Sequence, residues 1–333
     1  MKPTVCFTAK NIHYLKGGGH FWVPLNWTLG LRALGCDVIW LEPIDPSTPV
    51  EEVWALTKLL KERLAPYGLR DCVALSSITE AALDPAAVEG CLDIAAASEL
   101  AGLLVNLRYD LPADQVRRFR RSALLDIDPG LLQMWIAVGR YSPAPHDLYF
   151  TIGETVGTPA ARFSSFGLQW HYTPPPVYLP AWPTTVAPTS AAYTTVAHWW
   201  GEEIDFDGTP INTEKRESFL HYVDLPSRVV PPLELALTMG DVEAEDRKFL
   251  GRVWLAGPGL APVHRDPRGI PQLRAAVARR VQLCQALLHA AAKCLGQRQN
   301  DLLSRQWQTR DRPAYRAKPI PAGCGRIVPF LRH

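Results

Sequence analysis

The residues Lys16-Gly17-Gly18-Gly19-His20 combine a backbone bare of side chains with one titratable ring. They follow a short apolar run, Thr4 to Thr8. They precede a run with Trp22, Leu25, Leu29 and Ala33 at helical spacing. A strand, a glycine loop and a helix in that order place unpaired N–H groups and a partial positive charge where a ligand can come close. That arrangement suits a phosphate or a carboxylate. His20 adds a base whose ordinary pKa lies near neutrality. Gly17, Gly18 and Gly19 are therefore candidate binding residues, and His20 a candidate catalytic one. A dinucleotide fingerprint would carry a glycine three places beyond Gly19, where Trp22 stands, although Glu42 is placed like a ribose-binding acid. No Gly-Lys-Ser/Thr follows, so the P-loop pattern is excluded. A βα turn that needs glycine only for geometry, with His20 on the surface, is the plainer alternative.

The elements that position these groups alternate. Gly35 is a helix stop, and Cys36 to Glu42 reads as a second strand. Val50 to Leu64 is a helix with Val53, Leu56, Leu60 and Leu64 as its stripe, and Asp71 to Leu75 is a strand. The Ala-rich run Thr79 to Ala97 reads as helix, Leu103 to Leu107 as strand, and Pro112 to Arg120 as a short basic helix. Ala123 to Asp128 is a strand, Gly130 to Val138 a helix, and Asp147 to Ile152 a strand before Gly153-Glu154-Thr155-Val156-Gly157. The pattern predicts an α/β fold with a parallel sheet. Ligands of such sheets sit beyond the carboxyl ends of the strands, where His20, Asp110, Asp126 with Asp128, and Glu154 fall.

The texture then changes. Thr173-Pro174-Pro175-Pro176 and Leu179-Pro180-Ala181-Trp182-Pro183 exclude helix and suit a linker. Beyond it Tyr193 to Trp200 reads as the first strand of a new unit. Lys215 to Val223 (helix), Leu233 to Leu237 (strand), Glu243 to Leu250 (helix) and Val253 to Leu255 (strand) follow. The expected domains are 1–182, 183–271 and an aberrant stretch 272–333. Trp170-His171 and His198-Trp199-Trp200 can stack on a ligand or pack between domains, and packing is the commoner use of such aromatic residues.

A length of 333 residues fits two domains. A net charge of +2 leaves nothing global to attract nucleic acid or an anionic membrane. Seven cysteines without regular spacing make neither a disulfide framework nor a zinc site, and Cys6, Cys36 and Cys72 read as reduced core thiols. No run is long and apolar enough to cross a membrane, and a cytoplasmic protein is the expectation.

Several of these segments together resemble the GT-B glycosyltransferases, in which two Rossmann-like domains face a cleft. The likeness rests on Gly18-Gly19-His20 and its helix, on Gly35-Cys36-Asp37-Val38, on Asp147–Ile152 with Gly153 to Gly157, and on Thr194-Thr195-Val196. It spans roughly residues 1–260. The resemblance implies sugar transfer from a nucleotide sugar to a small-molecule or glycan acceptor, with no cofactor and usually no metal. It implies His20 as general base of an inverting enzyme, or as a binding residue only if the enzyme is retaining. A carboxylate would orient that imidazole, and Asp126 and Asp110 are the candidates. Glu154 would meet a sugar hydroxyl, or else complement a helix dipole, and His198 would line the donor side. Asp126-Ile127-Asp128 also matches the metal-binding Asp-x-Asp of the other large glycosyltransferase fold, but those letters serve equally as a turn and cap. Two other readings stay open: a non-catalytic carbohydrate- or ligand-binding protein on the same fold, and an NAD(P)-dependent oxidoreductase resting on Glu42.

The final stretch departs from that family. From Gln272 onward there is no Glu, and the only acids are Asp301 and Asp311 amid many arginines. The expected nucleotide-sugar segment is missing. Codons for Leu288 to Pro313 can be chosen so that the frame one base later encodes a helix, a glycine turn and a strand, including Leu-Ala-Asn-Gly-Lys-Pro. A frameshift upstream is therefore the expectation, against a divergent domain or a basic tail for an anionic partner.

Overall fold

In the computed structural model, residues 2–14, 18–183, 192–206, 208–230, 232–239 and 243–254 are described. They belong to one compact unit, Met1–Val281; a second, Gln282–His333, lies outside them, as do Gly17, Leu255 and the whole 272–333 stretch. The apolar run Thr4–Thr8 forms strand β1 and is buried because its neighbours cover both faces. Strands β2 (Asp37–Ile44), β3 (Val73–Ser77) and β4 (Leu92–Asp93) lie to one side of it. On the other lie β5 (Leu103–Asn106), β6 (Ser122–Asp126), β7 (Leu148–Thr151) and β8 (Trp170–Tyr172). All pairings are parallel, in the order β4-β3-β2-β1-β5-β6-β7-β8. The chain reverses direction between β1 and β5, which makes that pair the topological switch point of a doubly wound sheet.

The two faces follow from side-chain alternation. Trp40, Val73 and Leu75 pack with Phe21, Trp22 and Leu25 of helix α1 (Gly18–Ala33) and with Val53, Leu60 and Leu64 of α2 (Val50–Leu64). Cys6, Ile39, Leu41 and Ala74 face the other way, against Ala97 of α3 (Ile94–Leu100) and Val116 of α4 (Ala113–Val116). Gly35 ends α1 at φ +89°, and Cys36 N–H closes on the Leu31 carbonyl at 3.1 Å. The expected α1 stripe holds except at Ala33, which is exposed in the last turn.

Several expected elements are shorter or different. Thr79 to Cys91 is a run of turns rather than helix, because Pro85 disfavours helix at Asp84 and the Asp84 side chain accepts from Ala86 N–H instead. The basic helix is one turn, α4. Trp170–Tyr172, read only as aromatic candidates, is the edge strand β8, with Trp170 on Tyr149 and His171 on Phe150. The proline-rich stretch contains a 3₁₀ turn, Leu179–Ala181, and packs back on α1. There Asn26 Oδ1 accepts from Tyr178 N–H at 2.9 Å, and the Trp22 and Trp182 rings lie 4.5 Å apart.

Helix α5 (Leu131–Ala137) lies between β6 and β7. Past residue 192, strand β9 (Tyr193–His198) precedes a hairpin of β10 (Glu203–Phe206) and β11 (Thr209–Asn212), and helices α6 (Lys215–His221), α7 (Leu225–Arg228) and α8 (Ala244–Trp254) follow. Strand β12 (Leu233–Thr238) pairs parallel with β9. Trp199, Leu235, Leu237 and Leu250 form a core here that is separate from the sheet's clusters. Val253 and Trp254 continue α8 and are not the strand expected from their apolar character.

Candidate functional site

The carboxyl ends of β1 and β5 are joined by polar groups. Thr8 Oγ1 donates to Asn106 Oδ1 at 2.9 Å and accepts from Leu107 N–H at 2.7 Å. Asn106 Nδ2 lies 3.2 Å from His146 Nε2, while His146 Nδ1 lies 2.6 Å from the Ala144 carbonyl. A carbonyl only accepts, so the imidazole carries its proton on Nδ1 and accepts at Nε2. Burial lowers the pKa of His146, which favours that neutral form. Arg108, Lys10 and Asp110 complete the rim.

Glu42 is fully buried inside β2. Its carboxylate accepts from Trp40 Nε1 at 2.7 Å and from the Asn11 and Ile12 N–H groups at 2.8 and 3.2 Å. It therefore holds the connection leaving β1, and these three donors occupy the acid on which the nicotinamide reading rested. Burial pushes its pKa up to about 7, against the opposing effect of those bonds and of Arg108. A carboxyl raised in the folded state gives stability that is complete below the unfolded value and is lost as pH rises through about 7. Its share of that loss amounts to about 3 kcal/mol. Urea unfolding at pH 5 and pH 8 should show this loss in the parent chain, and Glu42→Gln should show a smaller difference by that amount. Equal slopes in both chains would remove Glu42 from the role.

Gly18, Gly19 and His20 form the first turn of α1; the expected loop has already become helix by Gly18. Gly19 has no positive φ, and a Cβ there would meet nothing within 4 Å. Neither backbone conformation nor crowding by the described residues requires glycine there. Gly19→Ala should therefore raise stability by about 0.5–1 kcal/mol while weakening binding of any ligand seated on this turn. A thermal melt with and without nucleotide reads both effects. Pro24 has no N–H to give the His20 carbonyl. The His20 ring is exposed and lies edge-on to Tyr14, centroids 5.3 Å apart.

His198 ends β9, exposed, with its ring 5.6 Å from that of Trp200. Partial burial holds its pKa below the usual value, and the charges of Lys215 and His20 add to that. His20 and His198 are thus brought within electrostatic reach of one another although 178 positions separate them (198 − 20). Lys215, which opens α6, acts electrostatically on His198 and was not anticipated as a site residue from sequence.

No hydrogen bond joins Asp126 to His20 among the described residues. Asp126 closes β6, which lies two strands, about 10 Å at normal strand spacing, from β1. It is buried, and burial raises its pKa. Its oxygens accept from Thr151 Oγ1 at 2.9 Å, Gln133 Nε2 at 3.1 Å and Asp128 N–H at 3.0 Å. Thr151 Oγ1 in turn accepts from Gly153 N–H at 3.0 Å, so Asp126 positions the turn that carries Glu154. Gly153 is obligatory there, since a Cβ would come within 2.4 Å of Pro129. Glu154 is exposed in this turn and begins no helix. Asp110 is engaged with Lys10 and Arg108, so neither expected carboxylate is bonded to His20 among the described residues. Asp126-Ile127-Asp128 acts as a side-chain-closed turn, and no group of three or more His, Cys, Asp or Glu arranged for a metal occurs among the described residues.

Sequence reading missed Arg108 and Gln115, whose roles depend on long-range contacts with Ser76 and Ser77. It also missed the β10–β11 hairpin, although Asp207-Gly208 between two short apolar runs is a hairpin signal. Near the hairpin a cavity of about 330 Å³ is lined by Trp199, Trp200, Glu214, Arg216, Glu243 and Asp246. Arg216 holds Asp246 through Nε at 2.6 Å and Nη2 at 2.9 Å, and Trp199 Nε1 donates to the same acid at 2.9 Å. Cys6 is buried, Cys36 and Cys72 half-buried, and all three are free thiols. No helix among the described residues is long and apolar enough to cross a membrane.

No family model matches the chain, and no curated protein matches its sequence. Among solved structures it is similar to an alpha-glucosyltransferase in complex with UDP-glucose and DNA containing an abasic site. That match has 12% identity and a TM-score of 0.31, over 75% of this chain and 61% of that one. An alpha-glucosyltransferase in complex with UDP matches at 13% identity and TM-score 0.31, over 79% of this chain and 66% of that one. MurG of Acinetobacter baumannii matches at 11% identity and TM-score 0.26, over 84% of this chain and 71% of that one. The chain thus spans less than two thirds of the first two. The likeness is weak and confined to the level of fold.

Proposed function

We propose that this chain is a glycosyltransferase-type protein that takes a nucleotide sugar as donor. The observation that carries the reading is the electrostatic coupling of His198 to Lys215 and to His20, the last on the glycine-rich first turn of α1. Imidazole and ammonium donors near a helix N-terminus are the chemistry that a donor diphosphate needs. Gly18 and Gly19 give the diphosphate backbone access, and Gly17, expected to do the same, lies outside the described residues. His20 takes the proton of the acceptor hydroxyl as it attacks the anomeric carbon. The leaving nucleoside diphosphate stays on the His198–Lys215 side, with the Trp200 face open to a base or sugar ring. Glu154, on the turn positioned by Asp126, meets an acceptor hydroxyl from the first domain, residues 1–182. The second domain, residues 183–271, supplies the nucleotide side.

The second reading, a non-catalytic binding protein on the same fold, is favoured by one feature. The His20 ring rests against Tyr14 and has no carboxylate bonded to orient it among the described residues. Thermal shift separates the readings. Stabilisation by UDP, GDP or TDP that is lost in His198→Ala and Lys215→Ala supports the transferase. A response to free sugars but to no nucleotide supports the binding protein, and a response to NAD(P) alone supports the oxidoreductase.

A further inference from the structure

Ligands of a doubly wound sheet collect in the crevice beyond the two strands that flank the switch point. Here Asp110 lies across that crevice. One of its oxygens accepts from Lys10 Nζ at 3.0 Å and the other from Arg108 Nε at 3.1 Å. Lys10 follows β1 and Arg108 follows β5, so each flanking strand supplies one cation to the same acid.

The Arg108 guanidinium shows that this arrangement leaves capacity unused. Its Nε–H and Nη2–H point in parallel, a fork matched to the two oxygens of one oxyanion. Asp110 fills only the Nε half, because its second oxygen is drawn to Lys10. Nη1 reaches Ser76 Oγ at 3.4 Å, and Nη2 is buried without a partner. The side chain is only 2% exposed, so water at the surface does not satisfy that donor. An unpaired buried N–H on a charged group is costly and calls for an acceptor. Glu42, the other acid near Arg108, cannot serve, being committed to Trp40, Asn11 and Ile12.

We propose that Arg108 and Lys10 form an oxyanion site at the switch point, taking a carboxylate or phosphate group of a ligand, and that Asp110 is its internal stand-in. The incoming group occupies both Nε–H and Nη2–H, and Asp110 turns outward. The exposure of its neighbours permits this: the side chains of Lys10 and Asp110 are 63% and 35% exposed. The site is distinct from the His20–His198 region and does not depend on the transferase reading.

The test titrates the full chain with sodium phosphate and, separately, sodium acetate at constant ionic strength, following thermal stability. Asp110→Asn keeps the shape and removes the competing charge. It should bind one of the two anions about tenfold more tightly than the parent chain, as expected when an internal competitor occupies the site some nine-tenths of the time. Whichever anion responds names the source, phosphate or carboxylate. Adding Lys10→Ala to Asp110→Asn should abolish the gain, while His20→Ala and His198→Ala should leave it intact. Lys10→Ala alone, a surface change, covers the case in which Asp110→Asn does not fold. It frees Asp110 to close both donors of Arg108 and should suppress the anion response of the parent chain. An Asp110→Asn chain that binds neither anion more tightly, a gain that survives loss of Lys10, or an undiminished response in Lys10→Ala would overturn the proposal.

Discussion

Replacing His20 with alanine is expected to lower sugar transfer by about two to four powers of ten, with little change in melting temperature or in donor binding. The size follows from the role. A general base removes the acceptor proton as the new bond forms, and its loss is felt in the transition state rather than in the bound ground state. Stability should be unaffected because the ring is exposed and rests edge-on against the exposed Tyr14. His198→Ala and Lys215→Ala should behave in the opposite sense. They are expected to weaken nucleotide binding and raise KM, since the Lys215 ammonium and an N–H of the His198 imidazole would hold the donor in substrate and transition state alike. The split between kcat and KM is the decisive readout. A His20→Ala chain with full turnover removes His20 as base and favours the binding-protein reading. Loss confined to KM makes it a binding residue, as in a retaining enzyme.

The second large effect concerns residues 272–333. Reading the coding DNA on both strands across codons 255 to 290 is expected to reveal one missing or extra base. The chemical reason is the composition. Two acids among many arginines, with no strand-like run in the sequence, are not the pattern of an α/β domain. Codons for Leu288 to Pro313 can be chosen so that the frame one base later encodes a helix, a glycine turn and a strand. The corrected gene should bind its nucleoside diphosphate with a Kd in the range of about 1 μM to 1 mM usual for enzyme substrates, where the chain as written binds far more weakly. An intact frame makes the basic stretch genuine. The binding-protein reading then takes first place.

Much of the architecture was legible in the sequence, because its elements are set by local pattern. Thr4–Thr8 and Val50–Leu64 coincide with the expected strand and helix, and Gly35 stops α1 where a left-handed residue is needed. These features need only the alternation of buried positions and a backbone preference. Elements failed where that pattern was overridden. Thr79 to Cys91 has helical composition, but Asp84-Pro85 turns the chain. Trp170–Tyr172 is too short to show a period, yet pairs as the sheet's edge.

Sequence alone determined which groups were available: a glycine-rich turn with His20, acids at strand ends, and His198 among tryptophans. It could not assign their neighbours, since a side chain's partner depends on which strands become adjacent. Only the tertiary structure decided that Glu42 is a buried brace rather than a ribose ligand, and that Asp126, on a strand two places from β1, supports the Glu154 turn. It likewise put His198 within electrostatic reach of Lys215 and of His20, and set Arg108 and Lys10 on either side of Asp110. The physical reason is common to all four. The packing of strands and helices brings together groups that lie tens to hundreds of residues apart, and hydrogen bonds and charges act only over short range.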